Sequence, residues 1–194
     1  MSYTKQNDIL LKKLLEYYNK NNNDNLNKML NVINGESRIS LRIVDWFATN
    51  YAKKHYTVYN ITKEIEKDNE KAEIIVDRFK VYVDYKLNLK AYAKRRFDPF
   101  CRWDRIIIPY SDDKFIQTTI GQLNFFKWAL ENEVIKYIEN NYSEIEQDMN
   151  SRNSTASKKK IANTQKTRKK REELSISATK SIKRENVEII VEFK

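Results

Sequence analysis

FKVYVDYKLNL, residues 79 to 89, alternates its side chains with a period of two. Val81, Val83, Tyr85, Leu87 and Leu89 fall on one face, and Tyr82, Asp84, Lys86 and Asn88 on the other. That pattern predicts a strand. Tyr82, Tyr85, Leu89 and Tyr92 also step by three and four residues, the spacing of a helix face. A strand that gives way to a helix near Lys86 satisfies both, with Asp98-Pro99 ending the helix after Phe97.

Upstream, YTVYNI (56–61) is β-branched and aromatic and predicts a strand. Residues 62–72 carry both signs of charge and predict a solvated turn or short helix. ISLRIVDWFATNYAKK (39–54) has a helical apolar face, with Ser40 placed to cap it. Residues 7–33 repeat apolar side chains at helical steps, interrupted by the run Asn19 to Asn25, so two helices joined by a polar turn are expected there. Asn34-Gly35 is a stop signal. Downstream, FCRW (100–103) predicts a loop and RIIIPY (105–110) a short strand. Thr118 or Thr119 should cap one long helix running to about Met149, and VEIIVEFK (187–194) reads as a terminal strand. The expected fold class is α+β: a helical N-terminal part, a small β-sheet, one long helix, and a basic, disorder-prone segment before a C-terminal strand. The divisions are 1–36, 37–150, 151–184 and 185–194.

Charge is not spread evenly over these divisions. Residues 1–150 hold 24 basic and 22 acidic residues, whereas residues 151–184 hold 12 basic and 2 acidic. The final ten residues hold three Glu and one Lys, so nearly all of the net charge of +10 lies in 34 residues. That stretch, SRNSTASKKKIANTQKTRKKREELSISATKSIKR, has no aromatic residue and too little apolar surface to offset its chain entropy. Lys158, Lys159 and Lys160 form one dense cluster; Lys166, Arg168, Lys169, Lys170 and Arg171 form another. Each phosphate such an arm neutralises releases condensed counterion, which gives salt-dependent binding to DNA or RNA with little sequence choice. The same clusters suit a nuclear-import signal. Ser151, Ser154, Thr155, Ser157, Thr164 and Thr167 stand among them, where phosphate would cancel positive charge.

In the body, Lys86, Lys90, Lys94, Arg95, Arg96, Arg102 and Arg105 make the densest basic run, interleaved with Tyr92, Phe97, Phe100 and Trp103. On a helix Lys86, Lys90 and Lys94 share a face. Basic side chains beside exposed rings suit single-stranded nucleic acid, whose bases stack on aromatics. If the rings are core, the lysines are only a solvated face. Lys90, Lys94, Arg95, Arg96 and Arg102 are the candidate contacts.

Other chemistry has thin support. The one cysteine, Cys101, excludes an internal disulfide, and with the one histidine, His55, it cannot supply a four-ligand zinc site. His55 reads as a surface residue and Cys101 as a packed one. Asp84-Tyr85-Lys86 matches three residues of a PD-(D/E)xK nuclease site, which would need Asp77 or Glu73 as its second carboxylate. Gly121 alone makes no phosphate loop. No catalytic residue, metal or cofactor is expected. No segment approaches the roughly 18 apolar residues of a membrane span, and the first residues lack a signal-peptide shape, so an intracellular protein without a membrane partner is expected.

Three stretches, ISLRIVDWFATNYAKK (39–54), LKAYAKRRFDPFCRWDRI (89–106) and TTIGQLNFFKWALENEVIKYIE (118–139), together with KKREELSISATKSIKR (169–184), resemble a small uncharacterised protein shared among nucleocytoplasmic large DNA viruses, mimivirus-like ones included. The resemblance brings no activity and no catalytic residues. It implies a viral protein made in the host cytoplasm and carried in the virion. The expected function is that of a non-enzymatic nucleic-acid-binding accessory protein that grips the phosphate backbone through the basic segment. The alternatives are a virion scaffold with a viral or host protein partner, and the metal-dependent nuclease. The sequence sets no oligomeric state.

Overall fold

The computed structural model describes residues 2–65, 73–111 and 114–162. The terminal strand expected over 187–194 lies outside the described residues. The fold is α+β: among the described residues there are eight α-helical segments and two antiparallel strand pairs, in the order α1 (Ser2–Tyr18), α2 (Asp24–Ile33), α3 (Leu41–Trp46), α4 (Ala52–Lys54), β1 (Val58–Ile65), β2 (Glu73–Lys80), α5 (Val81–Arg96), β3 (Arg105–Ser111), β4 (Lys114–Thr119), α6 (Ile120–Glu131), α7 (Val134–Asn140) and α8 (Tyr142–Ala162). A short 3-10 turn, Lys20–Asn23, falls in the Asn-rich run between α1 and α2, and a π-helical stretch, Phe47–Tyr51, joins α3 to α4. Among the described residues no helix is long and apolar enough to cross a membrane.

The described residues divide into two compact units. The first takes residues 2–37, 94–111 and 114–127. Its buried side chains include Leu14, Tyr18, Met29, Phe97, Phe100 and Phe125. Tyr18 shows how a polar tip is accommodated there: its hydroxyl donates to the Leu123 carbonyl at 2.7 Å, so the ring is buried without an orphaned oxygen. β3 and β4 pair antiparallel, Arg105 opposite Thr119 and Ile108 opposite Ile116, with an irregularity between Pro109 and Ser111. Pro109 lacks the N–H that a regular ladder needs, which accounts for the break there. β4 was not expected from the sequence. Its second role was: Thr119 Oγ1 accepts the Gln122 amide at 3.1 Å and so caps α6.

Buried polar groups secure the start of α6. Gln122 donates to the Pro99 carbonyl at 2.9 Å and accepts from the Thr118 hydroxyl at 2.9 Å. The Asp98 amide reaches the Gly121 carbonyl at 3.1 Å. A Cβ on Gly121 would stand 3.0 Å from the Arg95 carbonyl oxygen and 3.3 Å from the Phe97 nitrogen. Any larger residue there would press on backbone, which would have to yield by a few tenths of an ångström; glycine fits without that shift.

The second unit takes residues 38–65, 73–93 and 128–162. α3 begins on Ser40, whose hydroxyl accepts the Ile43 amide at 3.3 Å. β1 and β2 pair along their length, Val58 opposite Lys80 and Ile65 opposite Glu73. The expected turn or short helix from residue 62 is corrected as far as Ile65, where β1 ends. Two strands are marginal alone, and here rings reinforce them. Tyr59 lies opposite Phe79, their centroids 5.5 Å apart, and stacks on Tyr137 at 4.8 Å. The Tyr59 hydroxyl donates to the Asn132 carbonyl at 2.7 Å.

The stretch 79–89 departs from its strand pattern. β2 ends at Lys80, and helix starts at Val81, not near Lys86. Val81 and Tyr85 are buried at helical spacing, while Val83 and Leu87, from the same face of the alternation, are exposed by 46% and 60%. Burial on one side of a helix thus outweighs a period of two. α5 is itself broken at Ala93, which has φ 55 and ψ 168. The expected long helix after Thr119 is three: α6, α7 and α8. Glu133, at φ 53, separates α6 from α7.

Candidate nucleic-acid interface

α8 joins the second unit to the basic segment. Its 21 residues span about 32 Å at 1.5 Å per residue. Ile145 and Met149, one turn apart, are buried and root the helix in the unit. Acidic residues gather early (Glu144, Glu146, Asp148), while Arg152, Lys158, Lys159 and Lys160 come late. That order complements the helix dipole, which favours anions at the start and cations at the end. Helix therefore continues twelve residues into the stretch expected to be disorder-prone, through Ala162. The backbone positions of Lys158, Lys159 and Lys160 are on α8; Lys166, Arg168, Lys169, Lys170 and Arg171 lie outside the described residues.

The basic run of the body is divided between the two units: Lys86 and Lys90 belong to the second, and Lys94, Arg95, Arg96, Arg102 and Arg105 to the first. The kink at Ala93 separates Lys90 from Lys94, so the shared face of Lys86, Lys90 and Lys94 stops at Lys90. Lys90 and Lys94 are exposed. The guanidinium groups are engaged by the protein. Arg95 pairs with Asp104 at 2.7 Å. Arg96 donates to Asn7 at 2.7 Å and to Gln6 at 3.2 Å. Arg102 makes a two-pronged bond to Asp98, 2.8 Å on each side, and Asp98 is 2% exposed. Phe97 and Phe100 are core, so of the interleaved rings Trp103 is the well-exposed one.

A second cluster forms where α4 meets α8. The Asp148 carboxylate is buried and accepts from Trp46 Nε1 at 3.0 Å and from Lys54 Nζ. His55 Nε2 lies 4.0 Å from it. Burial alone would raise the Asp148 pKa, but the hydrogen bonds from Lys54 and Trp46, with the charges of Lys54 and Arg152, outweigh it and hold the carboxyl below its usual range. Arg152, one turn on, stands 5.7 Å over the Trp46 ring. Tyr51 stacks on His55 at 4.2 Å and donates to Glu144 at 3.2 Å. Its burial, together with that acceptor, pushes its pKa to about 12. Lys53 sits 5.7 Å from the Tyr82 ring centre.

The stop of α4 completes this corner. The Thr57 amide bonds back to the Ala52 carbonyl at 3.1 Å, and the residue between the C-cap His55 and Thr57 takes a positive φ. Glycine is usual at that position because an L side chain crowds its own carbonyl there. Here the residue is Tyr56, at φ 45, with 66% of its surface exposed. A bulky residue held so is strained by about 1–2 kcal/mol. The sequence could flag Lys53-Lys54-His55-Tyr56 as basic and aromatic, but not that its ring would face water in a strained turn.

The remaining candidates fall elsewhere. Asp84 and Lys86 are on a helix, not a strand, and Asp84 Oδ1 accepts Trp128 Nε1 at 2.6 Å and Asn88 Nδ2 at 2.9 Å. Cys101 is buried, which pushes its thiol pKa up. Among the described residues no three His, Cys, Asp or Glu side chains gather as metal ligands would.

The model of a family of unknown function, DUF7197, matches residues 2–193. "Uncharacterized protein L507" of Acanthamoeba polyphaga mimivirus is 48% identical over 126 residues, which cover 62% of this chain and 45% of that protein. The chain thus spans less than half of that relative's length. The resemblance to a mimivirus-like protein is found in the comparison. No solved structure matches.

Proposed function

The chain belongs to this family of unknown function, and we propose that it is a nucleic-acid-binding accessory protein that holds the phosphate backbone through residues 158–171 and carries out no catalysis. One observation carries the reading. Twelve of the 37 basic residues fall within 151–184 against two acidic ones, and the segment opens on a helix rooted in the folded body. Presenting the first lysine cluster on that helix restricts the chain entropy lost when phosphate is bound. The similarity to a giant-virus protein is compatible with a role in the host cytoplasm or the virion.

The test is a salt titration of the full chain on duplex DNA, single-stranded DNA and RNA. Affinity is expected to fall by about 10³-fold or more between 50 and 200 mM salt if six or more phosphates are neutralised. Replacing Lys158, Lys159, Lys160, Arg168, Lys169, Lys170 and Arg171 together by Gln should remove most of the binding and flatten the salt slope. Salt-independent binding, or an unchanged slope in that variant, would overturn the reading. A partner captured equally with and without nuclease, by a chain that binds no nucleic acid, would indicate a scaffold instead.

A further inference from the structure

We propose that the corner at the end of α4 is a base-stacking site for single-stranded nucleic acid, with the Tyr56 ring as its platform and Lys53 and His55 beside it for the flanking phosphates. The inference rests on the nucleic-acid reading above and adds a second site to it, in the folded body and outside the basic segment.

Three observations converge here. First, Tyr56 occupies the one position of a helix stop where glycine is preferred, and it does so with its ring turned out to solvent. A large apolar ring brought to the surface by an unfavourable backbone gains nothing from burial, so its presence is explained by what it meets there. Second, the three residues before it are all basic or protonatable, and their support is fixed. Lys54 is held by Asp148, His55 is stacked on Tyr51, and Lys53 lies beside the Tyr82 ring. Asp148, whose carboxylate stands 4.0 Å from His55 Nε2, is already bonded to Lys54 and Trp46. Third, the corner touches the helix that bears the basic segment: α8 supplies Asp148, and about 16 Å further along its axis it reaches position 159. Position 159 is eleven residues on and returns to nearly the same side of the helix. A strand that lies along α8 therefore reaches both sites. Rings of this kind stack on any base, which favours an unpaired strand over a duplex whose bases are already stacked.

The experiment compares oligo-dT, oligo-U and duplex DNA of equal length, at low salt, on the full chain and on Tyr56→Gly, Tyr56→Phe and Lys53→Gln. Tyr56→Gly relieves the backbone, so its melting temperature should hold or rise, and weaker binding cannot be ascribed to unfolding. It should weaken single-strand binding about tenfold, leave duplex binding unchanged and leave the salt slope unchanged. Tyr56→Phe should retain the affinity. Lys53→Gln should lower the slope of log affinity against log salt by about one. Equal single-strand affinity for the parent and Tyr56→Gly, with the parent binding well, would overturn this site while leaving the basic segment as the binder. A parent that binds none of the three would remove both.

Discussion

α2 and α4 stop on the same hydrogen bond and fill the critical position differently. In each, an amide two residues past the C-cap returns to the carbonyl three residues before it: Glu36 to Asn31 at 2.9 Å, Thr57 to Ala52 at 3.1 Å. The residue between takes a positive φ, 75 at Gly35 and 45 at Tyr56. Gly35 is the inexpensive solution, since nothing stands within 4 Å of where its Cβ would be. Torsion alone decides that position. Tyr56 bears the torsional cost that glycine avoids, and it does so with a ring exposed to water. The difference shows that the second stop is not optimised for stability, and stability is where natural sequences give way to function.

The contrast is sharpest against Gly121, the other glycine of the chain, where space decides and not torsion. Gly121→Val should produce the largest effect of any change at these positions, a loss of about 3 kcal/mol in urea unfolding, because the backbone of Arg95 and Phe97 would have to move. A loss under about 0.5 kcal/mol would mean that the approach of Arg95 and Phe97 is easily relaxed.

Exchanging the two stops comes next. Gly35→Tyr should cost about 1–2 kcal/mol through torsion alone, and Tyr56→Gly should return about 1 kcal/mol. Nucleic-acid binding should be unaffected by the first change. Equal and negligible effects from both would show that neither torsion is costly and would remove the distinction drawn between the two turns.

How much of this was legible in advance follows from the range of the interactions involved. The Asn34-Gly35 stop, the Thr119 cap and the strand at Val58–Ile61 are local, and their signals lie within a few residues of the sequence. The concentration of charge in 151–184 needs no fold at all. The start of α5 was hidden because VYVDYKLNL satisfies both periods, and only burial of Val81 and Tyr85 against the exposure of Val83 and Leu87 chooses between them. α8 was cut short in expectation because its second half lacks an apolar face, although its charge order favours helix. The Arg102 pairing with Asp98 spans four residues and turns a candidate phosphate contact into an internal ion pair. Lys54 and Asp148 are 94 residues apart, and nothing local announces their meeting.

That long-range pair gives the smallest of the expected effects and bears directly on what holds the α4 stop in place. The Asp148 pKa is lowered in the folded chain, so the carboxylate contributes stability above its unfolded value, which is ordinarily 3.8. That contribution is lost as pH falls through the lowered native value. Lys54 is about half exposed (47%), so solvent screens the pair and its net worth is about 0.5–1 kcal/mol. Asp148→Asn should therefore unfold earlier than the parent by that margin at pH 7, and the gap between the two unfolding curves should narrow as pH falls below 3.8 and close once it has passed the lowered native value. Asn still accepts the Trp46 N–H, so the part lost is the charge pairing with Lys54. If the gap between the curves were constant from pH 7 to pH 3, the buried hydrogen bonds and not the ion pair would be what fastens α4 to α8. The strain at Tyr56 would then be borne by neutral contacts, and its cost in the Tyr56→Gly comparison should be the same at both pH values.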